Sequence, residues 1–143
     1  MSEYETHEYD VIVIGAGGAG LRAAIEAARS GAKTAIICKS LLGKAHTVMA
    51  EGGAAAALGN ADDRDGWKVH FKDTMKGGKY LNNWRMAQIH AQESADRVRE
   101  LEQWGAVFDR TPSGLINQRN FGGHTYPRLA HVGDSTGLEI IRT

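Results

Sequence analysis

The chain has 143 residues, the size of about one domain, and its 42% apolar against 24% charged residues provide for a packed core. Its 17 Lys and Arg balance 17 Asp and Glu, a neutrality that argues against nucleic-acid binding, where a basic surplus meets phosphates. A single cysteine excludes an intramolecular disulfide, and no apolar run nears the roughly 20 residues of a bilayer span. Residues 1–10 are polar and acidic where a signal peptide would be basic and then apolar, so a soluble, intracellular chain is expected. The 18 glycines against 2 prolines cluster at 15–20, 52–53, 77–78 and 122–123, as ligand-cradling loops or flexible surface loops would.

Residues 9–14 read Tyr-Asp-Val-Ile-Val-Ile, a β-branched run suited to a buried parallel strand. It leads into Gly15, Ala16, Gly17, Gly18, Ala19 and Gly20. Behind them Leu21, Ala24, Ile25 and Ala28 fall at i, i+3, i+4 and i+7, the stripe of an amphipathic helix. Gly31 is placed to cap that helix, and residues 33–38 (Lys-Thr-Ala-Ile-Ile-Cys) read as a second strand. Strand, glycine turn, helix and strand make a βαβ unit, for which a right-handed crossover is expected.

From 41 to 59 small residues dominate, ending in four alanines before Leu58, and the segment has little bulk for a core of its own. Residues 60–83 are polar and predict a short helix over 67–75 among loops. Asn82 or Asn83 can cap a helix running to Trp104, with Ala87, Ala91, Ala95, Val98 and Leu101 as its stripe and Gly105 closing it. Residues 107–110 and 115–117 flank Thr111-Pro112-Ser113-Gly114, a turn signal that predicts a hairpin. Residues 137–143 begin an amphipathic helix without a closing cap.

The pattern is α/β, a Rossmann-like βαβ unit over about residues 8–59 followed by a helical and hairpin insertion over about 60–143. A doubly wound sheet needs more strands than these, so the chain reads as the N-terminal piece of a longer protein.

Gly15, Gly17 and Gly20 form a G-x-G-x-x-G fingerprint between strand and helix, the context in which that motif binds a dinucleotide. The first glycine makes the turn, the second lets backbone approach a pyrophosphate, and the third packs helix on strand. The helix N-terminus adds unpaired N–H groups and partial positive charge. The acidic ribose ligand usual at the second strand end is missing; Cys38, Lys39 and Ser40 stand there instead, which argues against a plain NAD site. Lys39 is suited to a phosphate or to solvent, and Ser40 to a ribose hydroxyl. Cys38 reads as a small apolar strand residue and not as a nucleophile. A lone histidine is ordinarily a surface or structural residue, but His46 lies among small residues just past the loop, where an imidazole can reach a cofactor ring. His70, His90 and His131 lack metal-ligand spacing, and no metal site is expected.

Four stretches stand in a recognisable order: Gly15-Ala-Gly-Gly-Ala-Gly20-Leu-Arg, Lys44-Ala-His46-Thr-Val-Met-Ala-Glu-Gly-Gly53, Asp73-Thr-Met-Lys-Gly-Gly78 and Gln118-Arg-Asn-Phe-Gly-Gly-His124. Together they resemble the N-terminus of the flavoprotein subunit of succinate dehydrogenase and fumarate reductase, over residues 9–143. The Lys-Ala-His-Thr and Arg-Asn-Phe-Gly-Gly-His-Thr-Tyr variants look like a bacterial, actinobacterial branch and not the mitochondrial type.

The resemblance implies FAD, joined covalently through His46 to its 8α-methyl carbon. Gly15 to Gly20 would hold the pyrophosphate, and residues 38–53, including Thr47, Glu51, Gly52 and Gly53, would line the adenosine ribose and isoalloxazine. Gly52 and Phe121 fall where that family approaches its dicarboxylate. The family lacks the acidic ribose ligand too, so Lys39 and Ser40 fit it. The implied activity is hydride transfer from succinate to flavin N5, with electrons leaving to an iron–sulfur subunit, then through membrane-anchor subunits to a quinone. Such a flavoprotein is peripheral at the cytoplasmic face of the plasma membrane. Its proton-transferring arginine and most substrate ligands are expected beyond Thr143, so this stretch alone is expected not to turn over succinate. The alternatives are a fumarate reductase or L-aspartate oxidase-like flavoprotein with non-covalent FAD, and a dinucleotide-binding module without chemistry.

Overall fold

The β-branched run folds into strand β1 (Val11–Ile14), which pairs in parallel with β2 (Thr34–Ile37), Val11 opposite Thr34 and Ile14 opposite Ile37. It is not the buried strand expected: β2 is its one neighbour among the described residues, and Ile12 and Ile14 stand 55% and 85% exposed. This is a computed structural model, and it describes residues 4–143, so the first three residues of the polar N-terminal stretch lie outside the described residues. Helix α1 (Gly18–Arg29) joins the two strands and ends on Ser30, with Gly31 at φ +87° supplying the left-handed turn. Asp10 fixes the sheet edge by accepting the Lys33 N–H at 2.8 Å. A Cβ on Gly20 would overlap the Gly15 carbonyl oxygen, so the helix packs this close to its loop only because Gly20 has no side chain.

Helix α2 (Trp67–Gly77) runs a little past its predicted end, and α3 (Trp84–Trp104) matches its prediction. The Asn83 side chain accepts from the N–H groups of Arg85 and Met86 at 3.1 and 3.2 Å, and Gly105 closes the helix at φ +117°. Ala87, Ala91 and Val98 of the predicted stripe are buried, with Ser94 among them. Arg22 of α1 reaches across to Glu100 of α3 with two bonds of 3.2 Å and stacks over the Trp104 ring at 5.5 Å. That contact ties the βαβ unit to the rest of the chain.

One departure from the sequence reading comes from pairing between distant segments. The alanine run is not formless: Ala54–Ala55 is strand β3, antiparallel to β5 (Leu129–Ala130), which also pairs with β4 (Gln118–Arg119). The small side chains let Ala56 and Ala130 pack with Val98, Ala106, Phe108 and Ile116 in the main core. The predicted hairpin forms as a short one: Arg110 bridges Ile116, the Thr111 N–H donates to the Leu115 carbonyl at 2.8 Å, and the Asn117 N–H donates to the Asp109 carbonyl at 2.7 Å. Its outer side pairs further along the chain as well, the Asp109 N–H donating to the His131 carbonyl and the Val107 N–H to Glu139 Oε1. Cys38 lies past β2 and is exposed, its thiol donating to the Ser40 carbonyl at 2.9 Å, so it is no buried strand residue. Among the described residues no helix is long and apolar enough to cross a membrane.

Arg128, fully buried just before β5, is held by two carboxylates. Its guanidinium donates to Asp65 at 2.9 and 3.2 Å and lies 2.9 Å from Asp73 of α2. Burial raises the Asp65 carboxyl against the pull of Arg128. Asp73 is also desolvated, yet it falls below its ordinary value because Thr125 donates both N–H and hydroxyl to it before Arg128 is counted. His70, only 2% exposed beside this cluster, is pushed down to about 4, by burial first and then by Arg128.

Helix α4 (Thr136–Arg142) forms one residue earlier than expected and lies on the 3₁₀ turn His46–Met49. The Gly137 N–H donates to the Ala50 carbonyl at 2.7 Å, and a Cβ there would overlap the Thr47 carbonyl oxygen. Gly137→Ala should therefore cost the native protein roughly 1–3 kcal/mol, as overpacking does. A urea midpoint equal to wild type would refute the close approach.

His70 gives a pH dependence of known sign. It stays neutral in the fold down to about pH 4, while the unfolded chain takes up its proton near the ordinary value of 6.5. Its contribution is present above about pH 6.5 and is lost as pH falls towards 4, a decline of about 3 kcal/mol by the linkage relation. Urea titrations across that range should show stability falling with pH, and His70→Met should flatten the slope. An equal slope in the variant would remove His70 as its source.

Candidate functional site

The end of β1 turns at Gly15, whose N–H donates to the Ile37 carbonyl of β2 at 2.8 Å and whose φ is +108°. Gly17 then caps α1 with no side-chain bond, and the first turn of the helix carries no acidic residue. The N-terminal N–H groups are thus left to a ligand, with one exception. Gly18 N–H donates to the Thr47 hydroxyl at 3.0 Å, so the turn that begins with His46 is fastened onto the glycine loop. A Cβ on Gly17 would meet that hydroxyl at 3.3 Å and the Ala45 methyl at 3.7 Å, a separation that suits glycine.

Beside this fastening lies a cleft of about 330 Å³. Its walls are Gly15, Ala16 and Gly17, the strand-end residues Cys38, Lys39 and Ser40, and Lys44, Ala45 and His46. The structure therefore brings together, around one cavity, the fingerprint loop, the second strand end and the histidine. Two lysines and a helix N-terminus face it, and no carboxylate lines it. That donor set fits an anionic pyrophosphate with hydroxyl groups nearby, which is the polar part of FAD. His46 is exposed at the cleft, unshielded by neighbours.

The remaining candidates lie outside that lining. Ala19 and Gly20 are inside α1, where Gly20 packs on Gly15. Arg119, two residues before Phe121, holds Glu51 and Gly52 as a second group. Its Nε donates to the Gly52 carbonyl at 2.9 Å and a terminal nitrogen to the Glu51 carbonyl at 2.6 Å. Glu51 is exposed, and Phe121 stands 59% exposed at the tip of its loop. At Gly53 a Cβ would come within 2.8 Å of the Ala130 carbonyl, so this glycine serves the packing of β3 on β5.

Sequence reasoning missed Arg119, Thr125 and the buried set around Arg128. The only local signal was an arginine inside an otherwise strand-like stretch, and its partners are 67 and 68 residues away. His124, beside Phe121, is lowered by burial and then by Arg128. His70, His90 and His124 gather here as rings 5.1 and 6.5 Å apart. Even so, no group of three potential metal ligands is arranged for an ion among the described residues. A slightly larger groove of about 370 Å³ lies between α1, α3 and α4. Leu21, Ile25, Trp104 and Ile140 make it apolar, and it touches the glycine loop only at Gly18 and lacks the histidine, so the smaller cleft is the better candidate.

Residues 10–143 match the FAD binding domain family. The structure of Mycobacterium smegmatis Sdh1 in complex with UQ1 superposes with a TM-score of 0.93 at 72% identity, over 95% of this chain and 23% of that one. Quinol fumarate reductase FrdA of E. coli gives 0.90 at 39% identity, over 97% of this chain and 24% of that one. A fumarate reductase (CoM/CoB) chain of Methanothermobacter marburgensis is 49% identical over 97% of this chain and 26% of its own length. The chain thus spans about a quarter of the length of these relatives. With its glycine loop, its anion-directed cleft and these matches, the chain belongs to the FAD binding domain family, in the form carried by succinate dehydrogenase and fumarate reductase flavoproteins.

Proposed function

We propose that this chain is the cofactor-cradling part of a succinate:quinone oxidoreductase flavoprotein subunit that carries FAD covalently on His46. The observation that supports it best is the Thr47 hydroxyl on the Gly18 N–H at 3.0 Å. It holds the His46 turn against the loop that grips phosphate, so a dinucleotide seated there has the imidazole beside its path.

The chain's own residues divide the work. The N–H groups at Gly17 and the start of α1 bind the pyrophosphate, and Lys39 and Lys44 neutralise it. Ser40 meets a ribose hydroxyl. Gly52 and Phe121 approach a dicarboxylate, succinate or fumarate, and Arg119 holds the Gly52 backbone in place. Bound FAD supplies the two-electron chemistry. The remaining ligands belong to parts of the protein outside this chain, as do contacts to membrane anchors and to an iron–sulfur subunit. In that assembly the flavoprotein is peripheral to the membrane at its cytoplasmic face.

Covalent attachment has a chemical purpose here. Succinate has no heteroatom to help its hydride leave, so the flavin must be a stronger oxidant than usual. An imidazole on the 8α carbon withdraws electron density and raises the potential; roughly 30 mV is worth about 1.4 kcal/mol for a two-electron couple.

The test is direct. The native polypeptide should run as a fluorescent flavin band on a denaturing gel, and His46→Ser should run dark. The variant should still bind FAD, because the glycine loop is intact, while losing succinate oxidation and keeping part of fumarate reduction. A dark wild-type band from the assembled enzyme would move the reading to the relatives with non-covalent FAD, and absence of any flavin would move it to a binding module.

A further inference from the structure

The loop that carries Phe121 is built from residues with little rigidity of their own. Gly122 and Gly123 follow Phe121 directly, Gly123 at φ +90°, and one backbone bond spans the turn, His124 N–H to the Phe121 carbonyl at 3.1 Å. Such a loop samples many conformations unless its ends are fixed. Both ends are fixed by charged side chains. Upstream, Arg119 holds the Glu51 and Gly52 carbonyls. Downstream, Thr125 donates its N–H to Asp73 Oδ2 at 2.8 Å and its hydroxyl to Oδ1 at 2.7 Å.

The downstream anchor is itself immobile. Asp73 lies within α2, is 9% exposed, and is paired with the fully buried Arg128, which Asp65 grips with two bonds. Thr125 sits at the exposed rim of this network, and its hydroxyl contributes nothing to the apolar core. Its side-chain bond connects the loop to the buried charges.

We infer that Asp73 and Thr125 are positioning residues for the dicarboxylate: they set where Phe121 stands, and through it how tightly substrate binds. This rests on the proposal that Phe121 and Gly52 approach the dicarboxylate. A hydrogen bond to a charged acceptor is worth enough that its loss should loosen the site by about tenfold.

The experiment uses the complete flavoprotein with its partner subunits and three variants. Thr125→Val removes the hydroxyl and keeps the volume, Thr125→Ser keeps the hydroxyl, and Phe121→Ala removes the ring. The readouts are KM and kcat for succinate and the Kd of malonate, a dicarboxylate with no CH–CH bond to oxidise, from flavin absorbance. Thr125→Val should raise KM and the malonate Kd about tenfold with kcat within about twofold and flavin content unchanged, and Thr125→Ser should restore both. If Phe121→Ala weakens malonate but Thr125→Val does not, or if Thr125→Ser fails to restore it, the positioning role is wrong while the substrate reading stands. If Phe121→Ala also leaves malonate binding unchanged, the dicarboxylate reading itself falls and this inference with it.

Discussion

A guanidinium with no exposure to water is among the most expensive groups to bury, and it is tolerated at Arg128 because two carboxylates meet it. Asp65 precedes α2, Asp73 lies within it, and Arg128 stands immediately before the central strand of the three-stranded sheet. The ion cluster thus pins a helix to a sheet whose strands are only two residues long and would be weak alone. Removing Arg128 would leave two buried carboxylates facing each other uncompensated, at a cost of about 3–5 kcal/mol. His70 and His124 beside it are both lowered, because burial and the nearby positive charge disfavour a second cation. The polar network therefore governs the sheet, the pH response and the anchorage of the Phe121 loop together.

The two halves of the molecule meet by different means. On one side, Arg22 joins α1 to α3 through Glu100 and the Trp104 ring. On the other, α4 comes close enough to the His46 turn that Gly137 cannot bear a Cβ, and Thr47 in that turn reaches on to Gly18. This second path is a chain of close contacts from the C-terminal helix to the phosphate loop. Small residues are what make it possible, which explains why a segment so poor in bulk carries the cleft.

How much of this was legible beforehand depends on the range of the interaction. The βαβ unit, the Asn83 cap and the Gly105 stop are local devices, and each stood in a few adjacent residues. The cleft was legible too, because the fingerprint loop and the second strand end belong to one supersecondary unit. The alanine strand was not, since Ala54 and Ala55 carry no β-propensity and form a strand only through Ala130 and Leu129. The short hairpin was legible from its turn residues 111–114, across which Arg110 pairs with Ile116, whereas the distant partners of the Asp109 and Val107 N–H groups were not. Cys38 followed an apolar run and so looked buried, yet the sheet ends at Ile37. Arg128 was invisible because an arginine reads as surface until its two carboxylates, 55 and 63 positions away, are seen beside it.

Net charge illustrates the same division between sum and arrangement. The chain is neutral overall, which weighs against a polyanionic partner such as nucleic acid. The field that a bound ligand feels is local, however, because charges beyond about a Debye length are screened. Asp65 and Asp73 are committed to Arg128, Glu100 to Arg22 and Arg97, and Asp62 to Arg64, so these carboxylates are drawn away from the cleft. Lys39 and Lys44 are left facing it with the N-terminus of α1. A neutral chain thereby presents a cleft walled by two lysines and a helix N-terminus, with no carboxylate among its lining residues. Pairing acids with arginines elsewhere leaves this cleft lined by basic and not acidic side chains without any surplus of bases in the chain.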